Sequence, residues 1–407
     1  MKTNVLVILF VILYGPLLGQ NVIFDTIRFK SIFAIQANEK FIDVNTGHSA
    51  PCVYDFNKDG VDDLLVGEFG KEYCPDVDKR QAHAYVQGRC RIYINYGTNV
   101  HPVYKDYQWL MGGGKPAFVP ITCCISFVPR IADLDGDGED DVLSGSFPGE
   151  IYFFKGMGNG DFGTGCVLLD KESDTIRAAH SMSADPIDWD NDGDYDILIS
   201  SRTDGVFLLK NIGTKKQYIF EKPIRIDLKK HKDIFVPSYL GPQDWGGDGL
   251  FDLVGGTEWG DLVWYKNIGT LGAPIFSDPM TLWANPNFGK NKIEPLGGRV
   301  KTWVCDYNKD GVLDILAGEV NTIMTKIRDL TPAQEIKKNK LQEKTEFLSK
   351  QKKSMEQAYK AGCLTKKEKR IYESIDNQCD KIVLKLKGLN NFKDGGTHGY
   401  VWVFLRK

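Results

Sequence analysis

After its first twenty residues the chain has no long apolar run, no Cys-x-x-Cys pair, and no P-loop, nucleophile elbow or zinc-protease motif. The first absence excludes a membrane-spanning helix in the body of the chain, because crossing ~30 Å of hydrocarbon takes about 20 apolar residues. The second argues against a zinc site. The third leaves no ready-made catalytic signature. The one apolar stretch, Val5 to Leu13, follows Lys2 and precedes Gly15-Pro16 and Gly19. It is short for a span and reads as a secretory signal peptide cleaved near Gly19/Gln20. The mature start carries no Cys, against a lipid-anchored form. The expected location is therefore secreted, extracellular or periplasmic.

Nine cysteines is an odd number, so at least one is unpaired or bonds another chain. Export favours disulfides, and Cys74 and Cys90, which bracket an apparent insertion, are the first pair expected. The adjacent Cys123 and Cys124 suit neither a clip nor a zinc knuckle. Glycine is plentiful, 42 of 407 residues, and aromatics are frequent. Both fit many short strands joined by tight turns.

One nine-residue pattern occurs five times. It supplies Asp55, Asn57, Asp59, Val61 and Asp63, with Gly60 at position six. The second copy has Asp133, Asp135, Asp137, Glu139 and Asp141. The third has Asp188, Asp190, Asp192, Asp194 and Asp196. The fourth has Asp244, Asp248, Leu250 and Asp252, with Gly246 at position three. The fifth has Asp306, Asn308, Asp310, Val312 and Asp314. Each copy runs on into an apolar, β-branched stretch. A hard cation such as Ca²⁺ takes six to eight oxygens. Side chains at positions 1, 3, 5 and 9, with the position-7 carbonyl, can converge on one ion. Gly at position six permits the sharp turn. Position 12 is Val66, Ser144, Ile199, Gly255 or Ala317, never the Glu of an EF-hand, and the flanks read as strands, so an EF-hand is rejected. A metal-free turn would leave the clustered carboxylates to repel one another. Up to five Ca²⁺ sites are expected, the one at Asp244 weakest for want of a position-3 ligand.

The first Asp residues are spaced by 78, 55, 56 and 62, the mark of a circular or stacked array. After each loop come a strand, a Gly turn, a second strand, an Asn/Gly turn as at Asn211–Thr214, a third short run such as Tyr218–Phe220, and a last strand into the next loop. Four antiparallel strands make one propeller blade. The C-terminal Tyr400–Leu405 run and an N-terminal Val22–Phe24 run are expected to complete the fifth blade together, closing the ring and removing free edges. The fold class read from this is all-β, a five-bladed propeller of four-stranded blades.

These Asp loops and Gly-rich strand pairs resemble the FG-GAP/VCBS repeat family, which includes the integrin α-subunit propeller. The resemblance covers roughly residues 22–320 and 397–407, within a propeller domain read as 20–320 and 397–407. It implies calcium and the propeller fold, not a particular activity. Integrin-like propellers usually have seven blades, and five are counted here.

Two insertions interrupt the pattern. Lys71–Gly88, with His83 and Cys74 and with Cys90 just beyond it, reads as a loop of blade 1. Residues 321–396 split the last blade. Thr331-Pro332 and Gln334 start one helix, Gly362 stops it, and Thr365 with Glu368 is a capping box for a second helix ending near Gly388. Residues 326–388 hold 17 Lys/Arg against 9 Asp/Glu, a net +8 in a chain of net −3, leaving −11 elsewhere. A solvated hairpin explains this, and an anionic polymer or surface is the sharper alternative. Cys363 near the tip is a candidate for intermolecular bonding, being about 20 Å along the helical rise from Cys379. Nucleic acid is not an expected partner.

All five Asp loops should lie on one face. The opposite face should collect the segments leading into each first strand, with His48, Arg130, His180, Arg299 and Lys301. It should also collect the exits of the second strands, with Glu68, Arg202, Glu258, Trp259 and Glu319. These form the candidate ligand rim around the axis. The first functional reading is an extracellular binding or adhesion module for carbohydrate or protein. The alternative is a polysaccharide lyase or hydrolase using rim carboxylates with His48 and His180.

Overall fold

The computed structural model describes residues 29–44, 46–74, 85–122, 125–231, 237–286, 296–360, 362–389 and 392–407. The expected signal peptide, the Val22–Phe24 run, His83 and the Cys123-Cys124 pair lie outside the described residues.

The chain folds as a five-bladed propeller. Blade 1 is built from Ala50–Tyr54, Asp63–Glu68, Val86–Tyr93 and Gln108–Trp109, with Val119–Ile121 pairing the far half of the third strand. Blade 2 runs Arg130–Ala132, Asp141–Gly145, Ile151–Phe154 and Cys166–Val167. Blade 3 runs Met182–Ile187, Asp196–Ser201, Gly205–Leu209 and Ile224–Ile226. Blade 4 runs Ser238–Gln243, Asp252–Gly256, Leu262–Tyr265 and Met280–Trp283. Blade 5 joins Gly298–Cys305 and Asp314–Lys326 to Val401–Arg406 and Phe29–Ala34.

The ring closes through the two ends of the chain, as Phe33 pairs with Val403 and Ile32 with Phe404. The closing strand is Phe29–Ala34. Phe29 packs edge-on against Phe404 at 5.2 Å, which anchors this later run in the core. The third short run differs from the expectation. Tyr218–Phe220 is no blade strand: Phe220 makes single bridges to Asn211 and Asp170. Asn211 Oδ1 accepts from Gly213 and Ile219 N–H and ties off the turn. The outer strand then starts at Ile224, paired with Leu208.

Period-two alternation in the second strands explains the circle. Leu65 faces a core shared with Val142 and Phe154 of blade 2, while Leu64 and Val66 face one shared with Leu316 and Val403 of blade 5. Ile197 and Ile199 face blade 2, Leu198 faces Leu240 and Leu253 of blade 4, and Val254 faces Ile315 and Trp402 of blade 5. Five apolar layers therefore separate five blades, and burial of each fully covered Leu or Ile is worth about 1.5–3 kcal/mol. The blades approach closely where their inner segments cross. A Cβ on Gly67 would stand 1.6 Å from the Phe127 carbonyl oxygen, and one on Gly318 would stand 2.2 Å from that of Ser49.

Cys90 is a free thiol buried in the blade 1–2 core with Cys52, donating to the Arg91 carbonyl at 3.6 Å. The expected Cys74–Cys90 bridge is not formed, because strand alternation turns Cys90 into that core.

Between Lys326 and Phe392, which pair across a ribbon, stand α1 (Pro332–Lys360) and α2 (Lys366–Gly388). Thr331 and Gln334 cap α1 reciprocally, and Thr365 with Glu368 forms a capping box for α2. Leu348, Ile375 and Ile382 make the seam, and Tyr359 stacks on Tyr372 at 4.0 Å. Cys363 is exposed at the tip. Among the described residues no helix is long and apolar enough to cross a membrane.

Candidate functional site

On one face, the five Asp loops share a hydrogen-bonded form. In blade 1, Asp55 accepts from Asp59 N–H at 3.0 Å and Gly60 N–H at 2.9 Å, and Asp59 accepts from Val61 N–H at 2.8 Å. Blade 5 repeats this at Asp306, Asp310, Gly311 and Val312. Two left-handed residues bend each loop. Position six is Gly throughout, φ +87° at Gly60 and +86° at Gly311. Position four is also left-handed, at Lys58, Gly136, Asn191, Gly247 and Lys309.

The position-9 acids have a second task. Asp63 accepts from Phe56 and Asn95 N–H, Asp141 from Leu134 and Gly156, Asp196 from Trp189 and Asn211, and Asp314 from Tyr307 and Arg406. Each ties its loop to the end of the next-but-one strand. Burial lifts these carboxyls to about 6, against the pull of the backbone donors.

The loops differ in their acids. Asp133, Asp135 and Asp141 bring carboxylate oxygens within 4.8 Å of one another in blade 2, as do Asp188, Asp190 and Asp192 in blade 3. In blade 2, one oxygen each of Asp133 and Asp135 is buried with no hydrogen-bond partner, which suits an added cation. At Gly246 of blade 4, a Cβ would lie 3.2 Å from Asp252 Oδ2 and 3.6 Å from Asp248 Oδ2. The side chain missing there is one that would have met the loop's acids. Lysines that the sequence reading passed over reach into these loops. Lys155 bonds Asp135 and Asp137, Lys210 bonds Asp190, Lys266 bonds Asp248 at 3.0 Å, and Lys30 bonds Asp310.

On the opposite face a different cluster forms. Glu258 of blade 4 receives a fork from Arg202 of blade 3, 2.7 and 2.8 Å, and a third bond from Arg299 of blade 5 at 3.1 Å. Arg299 reaches His48 of blade 1 at 3.5 Å, and Lys301 reaches the other ring nitrogen at 3.4 Å. Lys301 is almost fully buried, donates to the Arg299 carbonyl at 3.1 Å and sits over the Tyr239 ring at 5.0 Å. Burial, aided by the Arg299 charge, pushes the Lys301 amine down to about 7. Burial and the Lys301, Arg299 and Arg202 charges hold His48 well below its ordinary value, hence neutral. Burial would raise the Glu258 carboxyl, but Arg202 and Arg299 hold it below the usual range.

The backbone here is strained. His48, Tyr239 and Arg299, which lead into the first strands of blades 1, 4 and 5, all have φ between +53° and +61°. Ser181 of blade 3 is left-handed too. Left-handed non-Gly residues cost of order 1–3 kcal/mol each and gather at ligand clamps and active sites.

Of the rim residues named from the sequence, the structure brings together His48, Arg202, Glu258, Arg299 and Lys301. The others part company. Arg130 lies in the axis, buried and paired with Asp185, donating to the Thr302 carbonyl at 3.2 Å and lying over Trp303 at 5.4 Å. With its neighbours it narrows the channel there to a cavity of about 140 Å³. Glu319 is sealed in blade 5, accepting from Trp402 Nε1 at 3.0 Å and from Gly297 N–H. Burial lifts it to about 7 despite those donors. His180 is exposed beside Asp204 at 3.5 Å, and Trp259 is half-exposed next to Glu258. Glu68 pairs with Arg91 at 2.6 Å in a separate pocket on blade 1. Asp185, Trp303, Arg91 and the loop lysines were missed, because only the folded ring carries them to their partners.

Asp loops on one face and a clustered rim on the other define a repeat propeller. Residues 133–214, which span the Asp loops of blades 2 and 3, match the model of the FG-GAP-like repeat. Two solved structures resemble the chain at a TM-score of 0.39. One is the GH43_1 enzyme from Xanthomonas citri complexed with xylose, 11% identical, and the other is the GH43_1 enzyme from the same organism, 9% identical. Each match covers 69% of this chain and 85% of the other. At that score the likeness bears on neither activity nor ligand.

Proposed function

We propose that the protein is a secreted, calcium-binding propeller that acts as an extracellular binding module, holding an anionic group of a carbohydrate or protein at the axial cluster. One observation carries this reading. Three blades deliver Arg202, Arg299, Lys301 and neutral His48 around a single carboxylate, Glu258 of a fourth blade, on a backbone strained to present them. Arg202 and Arg299 remain partly exposed, 26% and 30% by side chain. Each has N–H groups to offer a carboxylate or sulfate, the geometry in which Arg excels. Calcium in the Asp loops would supply rigidity. In blade 2 the unpartnered oxygens of Asp133 and Asp135 would be ligands, and in blade 3 Asp188, Asp190 and Asp192 would serve.

The alternative, a polysaccharide lyase or hydrolase, draws less support. Glu258 is held ionised between two guanidiniums and Glu319 is sealed beneath Trp402. Among the described residues of the axial cluster, no free carboxylate pair stands ready for acid/base work. One experiment separates the readings. Titrate the mature protein, in calcium, with oligogalacturonate, a sulfated oligosaccharide and a neutral oligosaccharide, and assay each mixture for new reducing ends or unsaturated products. Binding of an acidic chain that falls about tenfold or more in Arg202→Met/Arg299→Met, a loss of about 1.4 kcal/mol, is expected. Turnover, or equal binding of neutral and acidic chains, would sink the proposal.

A further inference from the structure

The hairpin that splits blade 5 leaves an apolar groove open between its helices. Tyr359 stacks on Tyr372 near the tip, and Lys352 pairs with Asp376 below it, so α1 and α2 run antiparallel. Leu348, Ile375 and Ile382 fill the seam. Along one side of that seam lies a groove of about 920 Å³. Lys344, Phe347, Leu348, Gln351 and Met355 form its α1 wall, and Lys367, Arg370, Ile371, Ser374 and Gln378 line its α2 wall. Recurrence at three and four positions puts each set on one face of its helix. Each wall is about 16–18 Å long at the helical rise, the length of about three turns of a third helix. Phe347 is 60% exposed and Ile371 44%, so the seam's apolar surface continues into solvent here.

Charge defines the occupant. Among the described residues no Asp or Glu lines the groove, whereas Lys344, Lys366, Lys367 and Arg370 all do. Acids close by in the chain are engaged elsewhere: Glu346 with Lys350, Asp376 with Lys352, Glu373 with Lys369, and Glu368 in the α2 cap. Lys366, Lys367 and Arg370 also sit in the first turn and a half of α2, the end at which the helix dipole disfavours positive charge. Breaking a local rule in this way is the mark of a functional surface. Shape then separates the anionic partners. An apolar floor recessed between two helices is reached by the ridge of another helix, the usual helix-in-groove mode, and not by the plane of a bilayer. A second copy of the hairpin would bring a further +8 against this one, which disfavours self-association through this face.

We propose that the groove docks an acidic amphipathic helix of a partner protein. Its apolar stripe covers Phe347 and Ile371, and its carboxylates meet Lys366, Lys367 and Arg370. The surface is separate from the axial cluster and does not depend on the reading given to it.

The test uses the full mature chain in calcium and a fluorescent synthetic helix of about 14 residues, Leu on one face and Glu on the other. A counterpart with Lys for Glu, and vesicles of phosphatidylglycerol with phosphatidylcholine, are run beside it. Fluorescence anisotropy should show the Glu peptide binding in the micromolar range and the Lys peptide at least tenfold more weakly. Lys366→Glu/Lys367→Glu should weaken the Glu peptide about tenfold or more, with the melting temperature unchanged or raised, since acids suit that end of a helix. Phe347→Ala should weaken it several-fold, and Arg202→Met should leave it unaltered. The proposal is overturned if the Glu peptide does not bind at about 0.1 mM, if the two peptides bind alike, or if the charge-reversed and Phe347→Ala chains bind as tightly as the parent. Vesicle binding without peptide binding would assign the groove to a membrane surface instead, and a dimer that excludes the peptide would assign it to a second copy.

Discussion

The two faces of the ring are built by different rules. On the Asp-loop face each site is contained in nine consecutive residues and repeated around the circle. On the opposite face one cluster is assembled across the whole chain, with Arg299 meeting His48 over 251 positions. Repetition gives redundancy, since losing one loop removes a fraction of the whole. Assembly gives uniqueness, since the axial cluster has only one Glu258. The first face is therefore suited to stability and the second to recognition.

The largest effect that tests this division is chelation. If several loops hold calcium, each contributes about 3–4 kcal/mol at 100–1,000 times its dissociation constant. For a chain of this length about 1 kcal/mol moves Tm by roughly 1 °C. Thermal unfolding in excess calcium and in EGTA should then differ by on the order of 10 °C. Equal melting temperatures would erase the distinction between the faces.

A smaller effect sharpens it within the first face. Asp135→Asn in blade 2 should remove about 3 °C of the calcium-dependent shift. Asp244→Asn in blade 4, whose loop already has Gly246 at position three, should remove little. Scanning calorimetry of the two variants with and without calcium measures both, and the reverse order would show that carboxylate number does not rank the loops.

Of similar size is a pH effect from the opposite face. Glu319 has its carboxyl raised by burial from 4.5 to about 7. Between these values the folded state holds a proton that the unfolded chain gives up, so this group's contribution falls as pH rises from about 4.5 to about 7. Glu319→Gln should flatten the decline of Tm over that window, by on the order of 3 °C. A parallel decline in parent and variant would assign it to other groups.

The smallest effect is expected from the helical hairpin. Lys326 and Phe392 face each other across the ribbon. Replacing the residues between them by Asn-Gly, a favoured hairpin turn, should leave Tm within about 2 °C and acidic-chain binding unchanged. Loss of that binding would move recognition from the rim to the basic hairpin.

Legibility follows the same division. The loops could be read because their chemistry is local: Asp at 1, 5 and 9 and Gly at 6 need no distant partner. The same holds for the helix caps at Thr331 and Thr365. Even there, Lys58 and Lys309 at left-handed position four carried no signal, since Lys is not a residue that marks such a turn. Blade order assigns His48, Arg202, Glu258, Arg299 and Lys301 to one face, and hydrogen bonds link these five in the folded ring. Blade order could not say which residues would meet. Arg130 enters a first strand and Glu319 leaves a second, and blade order assigns both to the rim, yet one plugs the axis with Asp185 and the other is sealed by Trp402. That outcome rests on the partner that happens to lie across from each.

By itself the sequence determined the repeat, its number and the five-fold circle, because alternating apolar residues and tight Asp-Gly turns act within a few positions of one another. It also marked the helical interruption. Only the tertiary structure decided that Phe29–Ala34 closes the ring, that Cys90 stays a thiol in the core, and that Arg202 and Arg299 share one carboxylate. These depend on register, burial and contacts between distant segments, and such contacts exist only once the blades have closed.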